Sequence, residues 1–327
     1  MSLSFFLGFL YTQWFITPPP QTQSYEGQTI IVTGANVGLG LEAARMLVKL
    51  GAEKVIIAVR SIEKGEDAKR DIEKTTGKKG VVEVWQLDLG SYKSVEEFAE
   101  RASKLGRLDV LLENAGIGTQ NYKLAEDNES TITVNVVSTY LLGLLLLPTL
   151  KASARKYNKK TYLTIVSSEV HFMTQVPYLR NTSRPVFDIL NDKSTANMPD
   201  RYNVSKLLEV FSSRQMVKEY MSDPDYPVIT NFLTPGLCHS QLMREMALLG
   251  VIMKYLMGAR TTEVGARTLV HATHAGEESH GKYLSDCAVR EPAPLVLSEQ
   301  GQKLQEKVWS ELKEKLEKIH PGILKNF

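Results

Sequence analysis

The chain has 327 residues, 43% hydrophobic and 23% charged, so it can bury a large core and is neither disordered, collagen-like nor a coiled coil. Its 39 Lys and Arg against 37 Asp and Glu leave a net charge of +2, too small for the basic surface that nucleic acid requires. The length allows either two domains or one domain with extensions. Neither the cysteines, Cys238 and Cys287, nor the pair His271 and His274 has metal-site spacing. We therefore expect no metal and a reducing, cytoplasmic location.

The N-terminal segment, residues 1–27, is apolar and aromatic over residues 5–16 and ends in a run of three prolines. The apolar stretch is too short to span a bilayer, and it lacks the basic start of a signal peptide. We expect a short helix that either packs on the domain or lies in a membrane interface. The second alternative, peripheral contact with an intracellular membrane, is weakened by the lack of Lys and Arg.

From residue 29 onward, short β-branched runs alternate with helical patterns. The runs are TIIVTG, KVIIAV, VVEVWQLDL, DVLLENAG, KTYLTIVSS, PVITNFL and GKYL. Near-continuous apolar runs separated by helices indicate βαβ units and a parallel sheet covered on both faces. The sequence therefore predicts a single α/β domain over residues 28–290, with a doubly wound, seven-stranded Rossmann-type sheet. The apolar run YLLGLLLLPTL, being too short to cross a bilayer, is predicted to be a helix buried beside the sheet.

Three segments depart from this alternation. Residues 171–200 show no clear periodicity, and residues 237–260 are rich in Leu and Met. Residues 291–327 form a C-terminal extension with an amphipathic helix over residues 298–320, which Pro321 would stop.

A glycine-rich turn lies directly after the first predicted strand and before a helix. Such a turn lets backbone N–H groups and the helix N-terminus approach a pyrophosphate, which side chains would block. Glycines alone are weak evidence, but this position between strand and helix favours a dinucleotide site. The candidate cofactor-binding residues of the turn are Gly34, Asn36, Val37, Gly38, Leu39 and Gly40.

Polar and small residues follow the next three strands, and carboxyl ends of parallel strands face the ligand crevice. Arg60 stands where an NAD-specific site usually has an acidic residue, so a 2′-phosphate and NADP(H) are favoured. The third strand is followed by Asp88 and Leu89, and the fourth by Asn114, Ala115 and Gly116. Asp88 can accept a hydrogen bond from an adenine amino group, and the small residues Ala115 and Gly116 leave space for the cofactor. The alternative for each of them is an ordinary turn residue without a role in binding.

Tyr202 and Lys206 are four residues apart, one helical turn on the same face. A neighbouring cation favours the phenolate and is expected to lower the pKa of the phenol towards the range of an acid-base catalyst. The spacing alone is common by chance. It gains weight from Ser167 and Ser168 after the fifth strand and from the Pro-Gly pair after the sixth.

Together these motifs resemble the short-chain dehydrogenase/reductase family over about residues 29–284. The resemblance implies that Tyr202 is the general acid for carbonyl reduction and the base for alcohol oxidation. It implies that Lys206 tunes Tyr202 and bonds the nicotinamide ribose, and that Ser168, rather than Ser167, bonds the substrate carbonyl. It also implies that the backbone carbonyl of Asn135 holds a water in a proton relay to the lysine.

The same resemblance assigns Pro235, Gly236 and Ser240 to the cofactor, with Ser240 contacting the nicotinamide carboxamide. Two departures stand out. Glu113 replaces the Asn that commonly precedes Asn-Ala-Gly, which we expect not to affect the chemistry because the following three residues are intact. Residues 171–200 lengthen the segment between the serine and the tyrosine beyond that of compact members.

This insertion and the C-terminal helix resemble the retinol-dehydrogenase-like branch and fungal enzymes of secondary metabolism. Residues 237–260 are expected to form an apolar substrate lid, with ordinary core packing as the alternative. We expect a bulky hydrophobic substrate, such as a polyketide, terpenoid or retinoid-like ketone, aldehyde or alcohol. A non-redox cyclase or isomerase of the same fold and an NADP-sensing interaction protein are the alternatives. A homo-oligomer through the long helices stays open.

Overall fold

The computed structural model describes residues 3–180, 182–239 and 257–327. Within them, an eight-stranded sheet has the spatial order β10-β9-β8-β7-β4-β1-β2-β3, and all neighbours are parallel except β9 and β10. Its strands are β1 (Thr29–Thr33), β2 (Lys54–Val59), β3 (Val82–Gln86), β4 (Val110–Glu113), β7 (Thr161–Val166), β8 (Val228–Thr234), β9 (Tyr283–Ser285) and β10 (Ala288–Arg290). A separate hairpin pairs β5 (Leu124–Ala125) with β6 (Asn128–Glu129).

Helices cover both faces of the sheet. The helices of the described residues are α1 (Leu3–Phe15), α2 (Gly38–Lys49), α3 (Ile62–Thr76), α4 (Tyr92–Ser103), α5 (Ser130–Tyr157), α6 (Pro177–Arg180), α7 (Val186–Leu190), α8 (Met198–Tyr220), α9 (Thr262–Ala272), α10 (Pro294–Leu297) and α11 (Glu299–Ile319). Short 3₁₀ turns lie at Glu169–Phe172, Glu277–Ser279 and Ile323–Asn326.

Alternate residues of the central strands enter two different cores, as a doubly covered sheet requires. In β1, Ile31 joins the core under α4, α5, α8 and α11, whereas Ile30 and Val32 join the core under α2, α3 and α9. All three side chains are fully buried. The predicted α/β architecture with a mostly parallel sheet is therefore confirmed.

The predicted strand count of seven is wrong, because β10 adds an eighth strand. Asp286 and Cys287 both take positive φ, 53° and 59°, and turn the chain back into an antiparallel hairpin with β9. Neither residue belongs to the Asn-Gly type of pair that signals such a turn, and β10 has only three residues.

The apolar run of residues 140–150 lies in α5, as predicted. Of the described helices, α5 alone is long and apolar enough to cross a membrane by length and composition, but 83% of its most apolar window is buried inside the protein. It is the central helix of one core rather than an exposed apolar helix.

The N-terminal helix α1 contacts the domain along one side. The Arg260 guanidinium donates to the carbonyl oxygens of Thr12 and Ile16 at 3.2 and 3.0 Å, and Gln13 is buried. Trp14 and Phe15 of the same helix are 57% and 73% exposed.

The insertion of residues 171–200 and the C-terminal extension pack on each other. The backbone N–H of Val186 donates to Glu311 Oε2 at 2.6 Å, and Lys307 Nζ donates to the carbonyl of Arg184 at 2.6 Å. Helix α11 follows its predicted range closely, and the Ser298 side chain caps it by accepting from the Gly301 N–H. Most of the expected lid, residues 237–260, lies outside the described residues.

Candidate active site

The candidate site residues follow the carboxyl ends of β1, β2, β3, β4, β7 and β8, which is where a parallel sheet presents its ligand crevice. Because these strands run in the same direction, the residues share one edge of the sheet. The Gly-rich turn connects β1 to α2, and Tyr202 and Lys206 lie on α8, which packs beside that edge.

Two glycines of the turn are required by close packing. Gly34 has φ +65°, and a Cβ there would lie 2.9 Å from the Cα of Ala115. A Cβ on Gly40 would lie 2.4 Å from Asn114 Nδ2. Side chains at either position would therefore push the turn away from the residues that follow β4.

The start of α2 is open to an anion. Val37 precedes the helix in extended conformation, and its side chain does not cap the first N–H groups. These N–H groups and the positive end of the helix dipole fit a pyrophosphate. Asn36 is half-buried in the turn, and Leu39 contacts α9, where a Cβ on Gly265 would lie 2.7 Å from it.

The Asn-Ala-Gly segment is tied to the Gly-rich turn by hydrogen bonds. Asn114 Nδ2 donates to the carbonyl of Thr33 at 2.9 Å, and the Ala115 N–H donates to Thr33 Oγ1 at 2.9 Å. A Cβ on Gly116 would lie 3.7 Å from Lys206 Nζ, so this segment reaches from the turn to the lysine. The structure thus brings both motifs into one surface.

The residues after β2 and β3 lie further along the same edge. Arg60 is exposed, and among the described residues it has no hydrogen bond or ion pair. Asp88 Oδ1 accepts from the Gly90 N–H at 2.9 Å and closes the turn, while Leu89 is buried. Arg60 therefore keeps its charge available to a ligand, whereas one oxygen of Asp88 is already used.

The predicted catalytic side chains meet between β7 and α8. The Ser168 hydroxyl lies next to the Tyr202 phenol, where it lowers the pKa of the phenol, and Lys206 Nζ lies 5.7 Å from the centroid of the Tyr202 ring. Ser167 is buried, and its hydroxyl donates to the carbonyl of Lys206 at 3.1 Å. Of the two serines, Ser168 faces the tyrosine and Ser167 anchors the backbone of α8.

Tyr202 keeps its proton at neutral pH. Burial raises the pKa of the phenol, and the Lys206 ammonium and the Ser168 hydroxyl offset only part of this effect. The Lys206 cation lowers the pKa of the phenol, as expected, but desolvation is the larger effect, so the pKa stays above the ordinary phenol value. The phenol is thus present as a proton donor.

Asn135 lies in a π-helical stretch of α5, Thr133–Val137, and such stretches often mark functional sites. Its side chain accepts from the Ile117 N–H at 2.8 Å and donates to Ser205 Oγ at 2.9 Å. A Cβ on Gly116 would lie 3.3 Å from Asn135 Oδ1. Asn135 therefore joins α5, α8 and the segment after β4.

The loop after β8 is held by a buried arginine. Arg260 donates to the carbonyl of Pro235 at 3.2 Å and to Asp286 Oδ1 at 2.5 Å. A Cβ on Gly236 would lie 2.7 Å from both Arg260 Nη1 and Gln13 Nε2, so helix α1 also reaches this loop. The predicted Ser240 lies outside the described residues.

Several residues around the site gave no signal in the sequence. His171 is fully buried between Ser168 and the C-terminal extension: its Nδ1 lies 2.6 Å from the Ser168 carbonyl, and its Nε2 accepts from the Ala293 N–H at 3.1 Å. Burial lowers its pKa to about 4, so the ring is neutral and Nδ1 carries the hydrogen. A lone histidine in an aperiodic segment could not be assigned this position, nor could Arg260 or Gln13.

The family model that matches this chain and two of its relatives share the description short chain dehydrogenase. A family model described as short chain dehydrogenase matches residues 28–176. The short chain dehydrogenase/reductase dmxR8 of Cryptosporiopsis sp. (strain 8999) is 49% identical over 325 residues, covering 98% of this chain and 100% of the relative. The short-chain dehydrogenase anuD of Penicillium roqueforti is 43% identical, covering 97% and 84%.

Solved structures share the fold. A putative uncharacterized protein from Mycobacterium paratuberculosis superposes with a TM-score of 0.66 at 28% identity, covering 91% of this chain and 96% of that one. The Pseudomonas aeruginosa RhlG/NADP active-site complex has a TM-score of 0.62 at 22% identity, covering 81% and 96%. At that identity the second likeness concerns the fold alone.

Proposed function

The chain belongs to the short-chain dehydrogenase/reductase family, and we propose that it is an NADP(H)-dependent oxidoreductase that interconverts a carbonyl group and an alcohol on a bulky hydrophobic molecule. The observation that carries the proposal is the placement of the Ser168 hydroxyl and the Lys206 ammonium beside the Tyr202 phenol. This group lies at the same sheet edge as the N-terminus of α2.

The proposed chemistry divides between cofactor and protein. A nicotinamide dinucleotide, when bound, supplies or accepts the hydride. For reduction, Tyr202 donates its proton to the carbonyl oxygen, and Ser168 donates a hydrogen bond to the same oxygen. Lys206 stabilises the phenolate that Tyr202 becomes, and each aligned donor to the developing charge is worth roughly 3 kcal/mol. For oxidation, the phenolate accepts the proton of the alcohol.

The Gly-rich turn would hold the pyrophosphate, and Arg60 would pair with a 2′-phosphate. Support for NADP(H) comes from the exposed position of the Arg60 guanidinium after β2. The remaining residues that we propose at the cofactor are Asp88, Leu89, Asn114, Ala115, Gly116, Pro235, Gly236, Ser240, Tyr202 and Lys206. Asn135 is proposed to support the proton relay through its backbone carbonyl.

The substrate proposal depends on what surrounds the Pro-Gly loop. The aromatic helix α1 lies next to it, and a Cβ on Gly258 would lie 3.1 Å from the Trp14 ring. The Leu- and Met-rich sequence of residues 237–260 follows the same loop. Apolar surroundings of this kind favour a polyketide, terpenoid or retinoid-like compound in a biosynthetic pathway.

We propose a cytoplasmic enzyme whose exposed Trp14 and Phe15 touch an intracellular membrane.

The test follows NADPH absorbance with a panel of lipophilic ketones, aldehydes and alcohols. Wild-type protein should turn over part of the panel, and Tyr202→Phe should abolish turnover while still binding NADPH. Tyr157→Phe, at the end of α5 on the opposite edge of the sheet, is the matched control and should retain wild-type rates. An active Tyr202→Phe protein would refute the mechanism. NADPH binding without turnover of any compound by wild type would favour a non-redox or sensing role.

A further inference from the structure

Lys206 has a buried acidic partner within its own helix. Its ammonium donates to Glu209 Oε1 at 2.8 Å and to the carbonyl of Val166 at 2.8 Å. The side chains of Lys206 and Glu209 are only 4% and 2% exposed. Because both are removed from water, the carboxylate has a strong effect on the lysine and on the groups beside it.

A second carboxyl group faces the first from the sheet. Glu113 ends β4, is buried, and interacts electrostatically with Glu209. Neither of its carboxyl oxygens has a hydrogen-bond partner among the described residues. Burial raises its pKa well above the ordinary value, and Glu209 raises it further, so Glu113 is neutral. It therefore contributes no charge at neutral pH.

Among the residues that the structure describes, the other elements around Glu209 contribute no further charge. From α5, the Tyr140 hydroxyl donates to the Glu209 carbonyl at 2.7 Å, and burial raises the pKa of that phenol well above 10. From the end of β7 comes the Ser167 hydroxyl. Glu209 and Lys206 are thus the two groups of this cluster that carry charge near Tyr202.

The two charges act on Tyr202 in opposite directions. The Lys206 ammonium lowers the pKa of the phenol, whereas the Glu209 carboxylate raises it. Burial raises the pKa of Glu209 itself to about 7, with Lys206 and Ser167 offsetting part of the effect. Glu209 therefore gains its negative charge within the pH range in which an enzyme works.

Taking the proposed function as its basis, we propose that Glu209 is a positioning residue that holds the Lys206 ammonium beside Tyr202 and sets the pH at which Tyr202 exchanges its proton. In its charged form Glu209 keeps Tyr202 protonated, which favours reduction. In its neutral form it leaves the lysine cation unopposed, which favours the phenolate that accepts a proton from an alcohol.

The first test does not need a substrate. Ultraviolet titration reports phenolate formation, and subtracting the curve of Tyr202→Phe isolates Tyr202 from the 13 tyrosines of the chain. In Glu209→Gln, the midpoint of this difference curve should move to lower pH by about one unit or more, the usual effect of a nearby unit charge. A midpoint that stays in place or moves to higher pH would overturn the proposal.

Two variants separate charge from packing. Glu113→Gln replaces a neutral acid by a neutral amide and should leave the midpoint unchanged. Glu209→Asp keeps the charge and should return the midpoint towards that of the wild type. If Glu113→Gln shifts the midpoint as far as Glu209→Gln, or if Glu209→Asp behaves like Glu209→Gln, the assignment to the Glu209 charge is wrong.

The kinetics of the wild-type enzyme give a second test, which does not require any variant to fold. For alcohol oxidation, log kcat/KM should rise with pH, flatten near pH 7 where Glu209 becomes charged, and rise again until Tyr202 titrates. A plot of log kcat/KM against pH that rises through this range without flattening would contradict the proposal. If no substrate is found, the proposed function fails, yet the ultraviolet titration still decides the role of Glu209.

Discussion

Acid should destabilise the fold through His171. The folded protein holds this ring neutral, with a pKa of about 4 against the ordinary 6.5, because the ring is buried. Between pH 6.5 and about 4 an unfolded chain binds a proton on this ring, whereas the folded chain does not. The free energy of unfolding is therefore unaffected by this group above pH 6.5 and decreases as the pH falls to about 4. The two pKa values correspond to about 3 kcal/mol in total, of which about 2 kcal/mol is lost by about pH 5.

The assay is urea unfolding of wild type and His171→Asn at about pH 7.5 and about pH 5. Asparagine cannot titrate, but its amide can still donate to the Ser168 carbonyl. The variant should be less stable at the higher pH because the Ala293 N–H loses its acceptor. The stability difference between the two proteins should then shrink by about 2 kcal/mol at the lower pH. A difference that is the same at both pH values would refute the reasoning.

Three further variants test the roles assigned to Arg60, Ser168 and Ser167. Arg60→Ala should raise the KM for NADPH far more than that for NADH, and equal effects in steady-state kinetics would remove Arg60 from the phosphate site. Ser168→Ala should lower kcat about 10²–10³-fold, as expected for loss of one donor to the developing charge. Ser167→Ala should instead cost about 1 kcal/mol of unfolding free energy with little change in kcat, since its hydroxyl bonds the Lys206 carbonyl. Equal losses of kcat in the two serine variants would contradict the assignment.

The sheet could be predicted because its strands are buried on both faces and therefore appear as continuous apolar runs. The same reasoning missed β10, whose three residues are partly exposed and carry no such run. The insertion showed no periodicity because its helices have only four and five residues, too few for a 3.6-residue repeat to be visible, although their apolar side chains such as Phe187 and Leu190 join the core.

The candidate site could be predicted at positions where only one residue type fits the backbone, as at the glycines of the turn. Gly34 and Gly40 are examples, because a Cβ at either position would lie only 2.9 or 2.4 Å from the nearest atom of the segment after β4. Glu209 and His171 were not predictable, since their positions depend on contacts between segments far apart in the chain. For Glu113 the sequence predicts no effect on the chemistry, and this stays a prediction, but the burial of its carboxyl group beside Glu209 is visible only in the structure.

The central claim is that Tyr202 donates a proton while hydride passes from the cofactor to a carbonyl carbon. The most direct measurement uses NADPH carrying deuterium at the transferable position, with mass spectrometry of the product alcohol. Wild-type product should gain one deuterium bound to carbon, and Tyr202→Phe should form no labelled product while retaining the cofactor. Unlabelled product from the wild type, or labelled product at wild-type rates from Tyr202→Phe, would contradict the account.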